Sequence, residues 1–246
     1  MRYLVLSDLH RNLEAFEAAL GAARELGYDW VLVLGDLVGY GVDPNAILDA
    51  LRGMDNATII RGNHDRVAAG LSEPHDFNLP ARLAVEWTHR TLRAENLEYL
   101  ASLPRGPVPF ASDRLLVHGT PLDEDTYLLD VREASRCFEL IGFELCFFGH
   151  THFPAVFTRD GEQVEGRLLR GDLVQVVLQQ GVRHMFNPGS IGQPRDRNPK
   201  CSFALYDEEA GTFTVHRVEY AVEETRRKIL AKGLPSSLGD RLRSGI

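Results

Sequence analysis

Carboxylates, imidazoles and one amide recur along the chain in five short motifs: Asp8-Leu-His10, Gly35-Asp36, Gly62-Asn63-His64-Asp65, His118-Gly119 and Gly149-His150-Thr-His152. Imidazole and carboxylate together form a mixed N/O donor set, which suits Mn, Fe, Zn or Co better than Ca. No thiol belongs to any motif, which argues against a purely structural zinc site. Asp8 and His10 are separated by one residue, so at an extended strand end they point to one side, and His150 and His152 repeat that spacing. Glycines flank the donors, as needed where backbone must pass close to an ion. A single Gly-Asp after a strand is an ordinary turn, and a lone histidine in an apolar run is ordinarily a core or rim residue. The joint occurrence of the five motifs instead specifies a two-metal hydrolase.

The elements that must position these donors are legible from hydrophobic patterning. Each motif follows a short apolar run (Tyr3–Leu6, Val31–Leu34, Ala57–Ile60, Leu115–Val117 and Leu145–Phe148) of the length of a buried strand. Five sets of donors therefore stand at the C-terminal ends of strands, the edge of an α/β sheet where loops converge and active sites form. From the start to about Asp65 the order reads β-α-β-α-β. Asn12 caps a helix running to about Leu26, and a second helix covers roughly Asp43–Met54. Such crossovers imply parallel strands with right-handed connections. Ala81–Leu103 reads as one helix, while Arg66 to Pro80, rich in breakers, reads as a lid or rim beside the chemistry.

After about Pro107 short β-rich pieces dominate, interrupted by a helix near Arg132–Ile141 and closed by one near Val222–Ala231. They imply a second sheet packed on the first. The expected fold is an α/β sandwich of two mixed β-sheets flanked by helices, one domain over residues 1–246 with Gly233 to Ile246 as a loosely packed tail.

Composition sets the outer bounds. The chain has 246 residues, 44% hydrophobic and 25% charged, as in an ordinary globular protein. The net charge of −8 argues against bulk nucleic acid or an anionic membrane as partner. It leaves room for a small phosphorylated substrate, since two divalent cations would make the site locally positive. Apolar stretches fall short of a membrane span and Met1 leads directly into the first strand, so a cytoplasmic location is expected. Cys137, Cys146 and Cys201 lack metal-type spacing and read as small buried hydrophobes.

The five motifs, in this order, resemble the signature of the calcineurin-like metallophosphoesterase superfamily, and every element of it is present between residues 8 and 152. Asn187-Pro-Gly-Ser-Ile-Gly-Gln-Pro-Arg-Asp196 further resembles the small bacterial phosphodiesterase branch of that superfamily. The resemblance implies a metallo-dependent phosphatase-like fold and two divalent metal ions per chain, with Mn favoured over Fe, Zn, Co, Ni or Mg. By the same resemblance Asp8, His10 and His152 would hold one ion and Asn63, His118 and His150 the other, with Asp36 bridging. His64 would not be a ligand; it would face the substrate, oriented by Asp65, and stabilise or protonate the leaving oxygen. The chemistry is self-consistent. Two cations about 3.5–4 Å apart clamp a phosphoryl group and lower the pKa of a bridging water towards about 7, and the hydroxide attacks phosphorus in line.

Departures from the family pattern bear on substrate. Relatives often carry Gly after Asp-x-His, where this chain has Arg11, whose guanidinium either reaches a substrate phosphate or is a solvated helix-start residue. Ser/Thr protein phosphatases supply a phosphate-binding Arg in Gly-Asp-x-Val-Asp-Arg-Gly. Here Gly35-Asp-Leu-Val-Gly-Tyr-Gly41 has none, which disfavours a protein phosphatase. Arg195 and Asp196 either line the site or pair with each other. Ser190 reads as a backbone organiser, and His75, His89, His184 and His216 as surface or rim residues. The expected activity is phosphodiester hydrolysis of a small or nucleotide-like substrate, with phosphomonoesterase or dinucleoside-polyphosphate hydrolase as the nearest rival. A non-enzymatic scaffold would have lost a donor or His64, and a metal-dependent amidohydrolase would open with His-x-His. A homo-oligomer is compatible with all of this.

Overall fold

A computed structural model describes residues 1–246. Two six-stranded sheets face each other, and the alternation along the first strands explains the layering. In β1 (Arg2–Leu6), Leu4 and Leu6 pack towards helices while Tyr3 and Val5 pack towards the other sheet. In β2 (Trp30–Val33), Val31 and Val33 face the helices, and Leu32 with the following Leu34 faces the opposite sheet. Both faces of these strands are thus buried, which is why their sequences read as continuous apolar runs.

The first sheet has the order β3-β2-β1-β11-β12-β9, built from β3 (Ala57–Ile59), β9 (Leu173–Val177), β11 (Cys201–Asp207) and β12 (Thr212–Val218) besides β1 and β2. β1, β2 and β3 run parallel, and β11 pairs antiparallel to β1. The second sheet has the order β4-β5-β6-β10-β7-β8, from β4 (Val108–Ala111), β5 (Arg114–Leu116), β6 (Leu145–Phe147), β7 (Ala155–Asp160), β8 (Gln163–Leu168) and β10 (Arg183–Asn187). There β5, β6 and β10 are parallel. The later strands are therefore divided between the sheets: β9, β11 and β12 return to extend the first.

Helices α1 (Leu13–Leu26) and α2 (Pro44–Arg52) cover the first sheet, and α6 (Val131–Leu140) covers the second. The Asn12 side chain caps α1 by accepting from the Ala15 N–H at 3.2 Å. Between them the chain forms α3 (Asn63–Ala68), α4 (Leu79–Thr91) and α5 (Ala94–Ser102). The single helix expected over Ala81–Leu103 is broken, and the cause lies on α2. Asn45 donates from Nδ2 to the Thr91 carbonyl at 3.0 Å and accepts the Arg93 N–H on Oδ1 at 3.0 Å, so one side chain ends α4 and starts α5.

Other expectations are corrected. The tail is packed: after α7 (Val222–Ala231), α8 (Ser236–Asp240) and a 3₁₀ turn at Arg241–Arg243 bury Leu234, Leu238 and Leu242 against Tyr40, Val42, Ala81 and Ala84. His184 is buried rather than on the surface, because β10 lies between β6 and β7; its ring stacks on Phe186. The three cysteines are free and buried. No helix is long and apolar enough to cross a membrane.

Candidate metal centre

The C-terminal ends of the parallel strands from both sheets meet at one place. β1 delivers Asp8 and His10, β2 delivers Asp36, and Asn63 opens α3 just beyond β3. From the opposite sheet β5 leads to His118, β6 to His150 and His152, and β10 to the loop Asn187–Gln193. All of these donors are buried.

Local backbone geometry aims them, though not in the way the spacing suggested. Asp8, His10, Asp36, His150 and His152 have φ between +47° and +65°, so the Asp-x-His and His-x-His pairs are not extended. Left-handed backbone at a non-glycine costs on the order of 1–3 kcal/mol per residue and persists only where its surroundings impose it. The neighbouring loops do so. Ser190 Oγ donates to the Asp8 carbonyl at 2.9 Å, and Asn187 Nδ2 donates to the Gly149 carbonyl at 2.8 Å, so the Asn-Pro-Gly-Ser loop holds both ligand turns. Gly62 is required for room: a Cβ there would collide with the Asp36 carboxylate and lie 2.7 Å from His118 Cε1.

Hydrogen bonds fix the tautomer of every histidine in the cluster. The Nδ1–H groups of His10, His118 and His152 donate to the carbonyls of Val38 (3.0 Å), Leu34 (2.8 Å) and Gln193 (2.6 Å), and Nε2–H of His150 donates to the Asp125 carbonyl (3.1 Å). In each case the other ring nitrogen turns its lone pair inward. His10 Nε2 and His152 Nε2 then face each other at 3.1 Å, with Asp8 Oδ1 3.3 Å from the latter and Asp36 Oδ2 3.6 Å from the former. His118 Nε2 lies 3.1 Å from His150 Nδ1, 3.1 Å from Asn63 Oδ1 and 3.4 Å from Asp36 Oδ1. Acceptors gathered this closely without donors between them repel unless a cation lies among them. The outward N–H to carbonyl bonds are the usual support of metal-ligating imidazoles. Asp8 repeats the logic: Oδ2 accepts from Ser7 Oγ at 2.7 Å and from the His150 N–H at 3.2 Å, while buried Oδ1 has no hydrogen-bond partner.

Two donor groups result, Asp8–His10–Asp36–His152 and Asp36–His118–His150, with Asp36 common to both. The residues present fit a pair of divalent ions. Electrostatics agree. Burial pushes the Asp8 carboxyl up to about 7 and holds His10 and His152 well below the usual imidazole range, so the histidines are neutral, the ligating form. Burial opposes charge on His118 too, but the Asp36 carboxylate beside it prevails and raises it to about 10, so at neutral pH a proton takes the inward Nε2 lone pair unless a cation displaces it.

His64 sits against this cluster, its ring 5.1 Å from that of His10. It is 4% exposed, wedged between Phe77 (4.4 Å between ring centroids) and Tyr40 (4.7 Å). Burial depresses its pKa to about 4, so the ring is neutral near pH 7. Nδ1 is buried without a partner, which leaves Nε2 as the nitrogen available to substrate. Asp65 does not orient it. The Asp65 carboxylate instead accepts the N–H groups of Leu37 (3.1 Å), Val38 (2.9 Å) and Gly62 (2.9 Å), tying the Asp36 turn to the start of α3.

The two arginines diverge. Arg195 lies at the site, its Nη2 3.3 Å from Tyr40 Oη and 3.1 Å from Gln193 Oε1, while Asp196 pairs with Arg217 rather than with Arg195. Arg11 neither reaches the site surface nor is solvated. It is fully buried, 5.0 Å from the Trp87 ring, and none of its guanidinium nitrogens has a hydrogen-bond partner. Burial lowers its pKa to about 9. Its left-handed φ of +57° turns it away from His10 and under α4. Replacing a poorly compensated buried charge with an apolar group of similar length is commonly neutral or stabilising. Arg11→Met should therefore keep or raise Tm, by about 2–4 °C for each kcal/mol gained, and leave kcat/KM within threefold. A melting scan showing a lower Tm, or a larger loss of kcat/KM, would return Arg11 to a working role.

Residues that the motifs did not single out complete the site: Ser7, Tyr40, Phe77, Tyr127 and Gln193. Tyr127 stacks on His150 with centroids 3.9 Å apart. Tyr40 and Gln193 lie within the Gly35–Gly41 and Asn187–Asp196 stretches, so proximity to the motifs was their only sequence signal. Phe77 comes from the rim segment, which folds over His64.

Comparison with known proteins gives a consistent picture. Residues 1–211 match the family described as the calcineurin-like phosphoesterase superfamily domain. The uncharacterized protein MJ0912 of Methanocaldococcus jannaschii is 31% identical over 241 residues, 97% of this chain and 96% of that one. Phosphodiesterase YfcE of Escherichia coli is 23% identical over 218 residues, 85% and 89% of the two chains. Among solved structures, a metallophosphoesterase from Sphaerobacter thermophilus superposes with a TM-score of 0.89 at 37% identity, covering 100% of this chain and 99% of that one. Protein PH1004 from Pyrococcus horikoshii OT3 shares the fold, with a TM-score of 0.77 at 23% identity over 100% and 98%.

Proposed function

The chain belongs to the calcineurin-like phosphoesterase superfamily and is a metal-dependent phosphoester hydrolase; from that premise we propose that it is a phosphodiesterase that works with two divalent ions, Mn favoured, on a small phosphorylated substrate. The observation that carries the two-ion reading is the pair of donor groups sharing Asp36, each with lone pairs turned inward. Such ions, when bound, supply Lewis-acid polarisation of phosphoryl oxygens and a water made nucleophilic near neutral pH.

The protein's own groups divide the remaining work. Asp36 and Asp8 set the charge of the centre, and the outward hydrogen bonds of the four ligand histidines keep it preorganised. His64, neutral and clamped between Phe77 and Tyr40, offers an N–H at Nε2 to the leaving oxygen. Arg195 supplies a guanidinium beside the centre, positioned by Tyr40 and Gln193.

A diester suits this inventory better than a monoester. The Gly35–Gly41 loop has no arginine, and Arg11 is buried under Trp87, so Arg195 is the guanidinium left to compensate non-bridging oxygens. A diester carries one negative charge there and a monoester two, so the monoester loses more by that lack. Likeness to phosphodiesterase YfcE over 85% of this chain favours the same reading. The Mn-loaded enzyme should show a higher kcat/KM for bis-p-nitrophenyl phosphate than for p-nitrophenyl phosphate, by about tenfold or more. A monoester preference in that assay would move the chain to the phosphatase class.

A further inference from the structure

Above the metal centre a cavity of about 220 Å³ opens between the rim segment and the loop after β5. Its floor is His64 and His150, and its walls are the rings of Tyr40, Phe77 and Tyr127. Phe77 lies over His64, and Tyr127 is stacked on His150, so ring faces border both floor residues. Glu73 and Asp76 stand on the rim, and neither has an ion-pair or hydrogen-bond partner on its carboxylate. The cationic lining residue, Arg66, is already committed to Glu124, to Asp125 at 3.0 Å and to Ser72 Oγ at 2.8 Å. The cavity therefore combines unpaired carboxylates and aromatic faces at its rim, with His75 also in the lining and Arg195 in contact with its Tyr40 wall.

A neighbouring cleft is lined by the reverse charge. Beyond the Tyr40–Arg195 contact lies a cleft of about 450 Å³ lined by Arg170, Arg195 and Arg197, where the carboxylate of Asp196 is neutralised by Arg217. Carboxylates thus stand at the rim of the first cavity and arginines line the second, and His64 lines the first. Its Nδ1 is buried without a partner, and its ring lines the cavity.

We propose that the Phe77 cavity is a subsite for a cationic alcohol, so that the leaving group of the diester carries an amine or quaternary ammonium and its other substituent lies towards the arginine cleft. This rests on the diesterase reading above. Water adds across one P–O bond: its oxygen ends on phosphorus, and the departing alcohol oxygen keeps the bonding pair and takes up a proton. The products are a phosphomonoester and the cationic alcohol. Aromatic faces attract ammonium groups through their quadrupoles, most strongly when desolvated, and the rim carboxylates add to this. A second phosphate on this flank would meet two like charges, which disfavours a polyphosphate chain there.

The test uses uncleavable phosphinate analogues (CH₂ in place of both ester oxygens) of three methyl phosphodiesters, titrated calorimetrically into the Mn-loaded protein: those of the choline ester, of its neutral isostere the 3,3-dimethylbutyl ester, and of the anionic carboxymethyl ester. The choline analogue should bind at least tenfold more tightly than the isostere, and the carboxymethyl analogue weakest. In Glu73→Gln/Asp76→Asn the choline preference should shrink to within twofold, and Phe77→Leu should reduce it as well. Equal affinity for choline analogue and isostere overturns the proposal, as does a preference that survives the double variant, or no binding of any analogue at millimolar concentration. Calorimetry reads binding without turnover. Failure to hydrolyse bis-p-nitrophenyl phosphate would therefore refute the diesterase reading while leaving the charge comparison to be judged by itself.

Discussion

Asp36→Asn is expected to abolish the centre as a unit: metal content should fall from about two ions per chain to below one, and kcat/KM by on the order of 10³ or more. Asp36 is the one side chain common to both donor groups, with Oδ1 facing His118 Nε2 at 3.4 Å and Oδ2 facing His10 Nε2 at 3.6 Å. Asparagine keeps the shape and can still accept the His64 N–H that Oδ1 receives at 3.0 Å, so the turn itself should survive. What changes is charge and polarity. The new NH₂ would donate a hydrogen bond to an imidazole lone pair, occupying the direction meant for a cation, and the negative charge shared by two ions would be gone. Losing an outer-shell partner typically costs 10–100-fold in metal affinity, and loss of a shared ligand should exceed that. Elemental analysis of the purified variant, with its folding checked by circular dichroism, decides the matter. Two equivalents of metal with activity intact would show that Asp36 is not shared.

The donors were legible in the sequence because the strand-end pattern is sharp: apolar runs stop abruptly at Asp, His or Asn, and one fold edge collects all of them. The way they converge was not legible. Spacing suggested extended Asp-x-His and His-x-His turns, whereas left-handed φ values at Asp8, His10, Asp36, His150 and His152 make the geometry. That conformation is imposed from far along the chain, by Ser190 and Asn187, and no local propensity announces it. Asp65 illustrates the same limit. Next to His64 it suggested a carboxylate–imidazole pair, but three backbone N–H groups claim its oxygens.

Errors about the fold have physical causes of the same kind. β8 carries no sequence signal, because five of its six residues are exposed and it shows no apolar–polar alternation. The break after α4 is set by Asn45 on another helix. The tail did carry a signal: Leu234, Leu238 and Leu242 recur every four residues, an apolar stripe obscured by the Gly, Ser and Arg between them. Arg11 was misjudged because nothing in an Asp-x-His-Arg stretch says whether the chain turns the guanidinium outward or beneath Trp87.

His64→Ala should separate catalysis from metal binding. His64 lies beside the donors without joining either donor group, and its neighbour Asn63 is the residue whose Oδ1 meets His118 Nε2. Metal stoichiometry should stay near that of the unmodified protein, while kcat falls by roughly 10²–10⁴, the range for a positioned acid–base or hydrogen-bonding group. The loss should also depend on the leaving group. A neutral Nε2–H helps most where negative charge on the departing oxygen is greatest and least stabilised, so a poor alkoxide leaving group should suffer more than p-nitrophenolate. The slope of log kcat against leaving-group pKa should accordingly become steeper in His64→Ala, and His64→Gln, which restores a donor, should recover part of the loss. Phe77→Leu, which frees one side of the imidazole, should give a smaller fall of the same kind. A missing metal equivalent in His64→Ala, or an unchanged slope, would make His64 a structural neighbour of the centre rather than the group that meets the leaving oxygen.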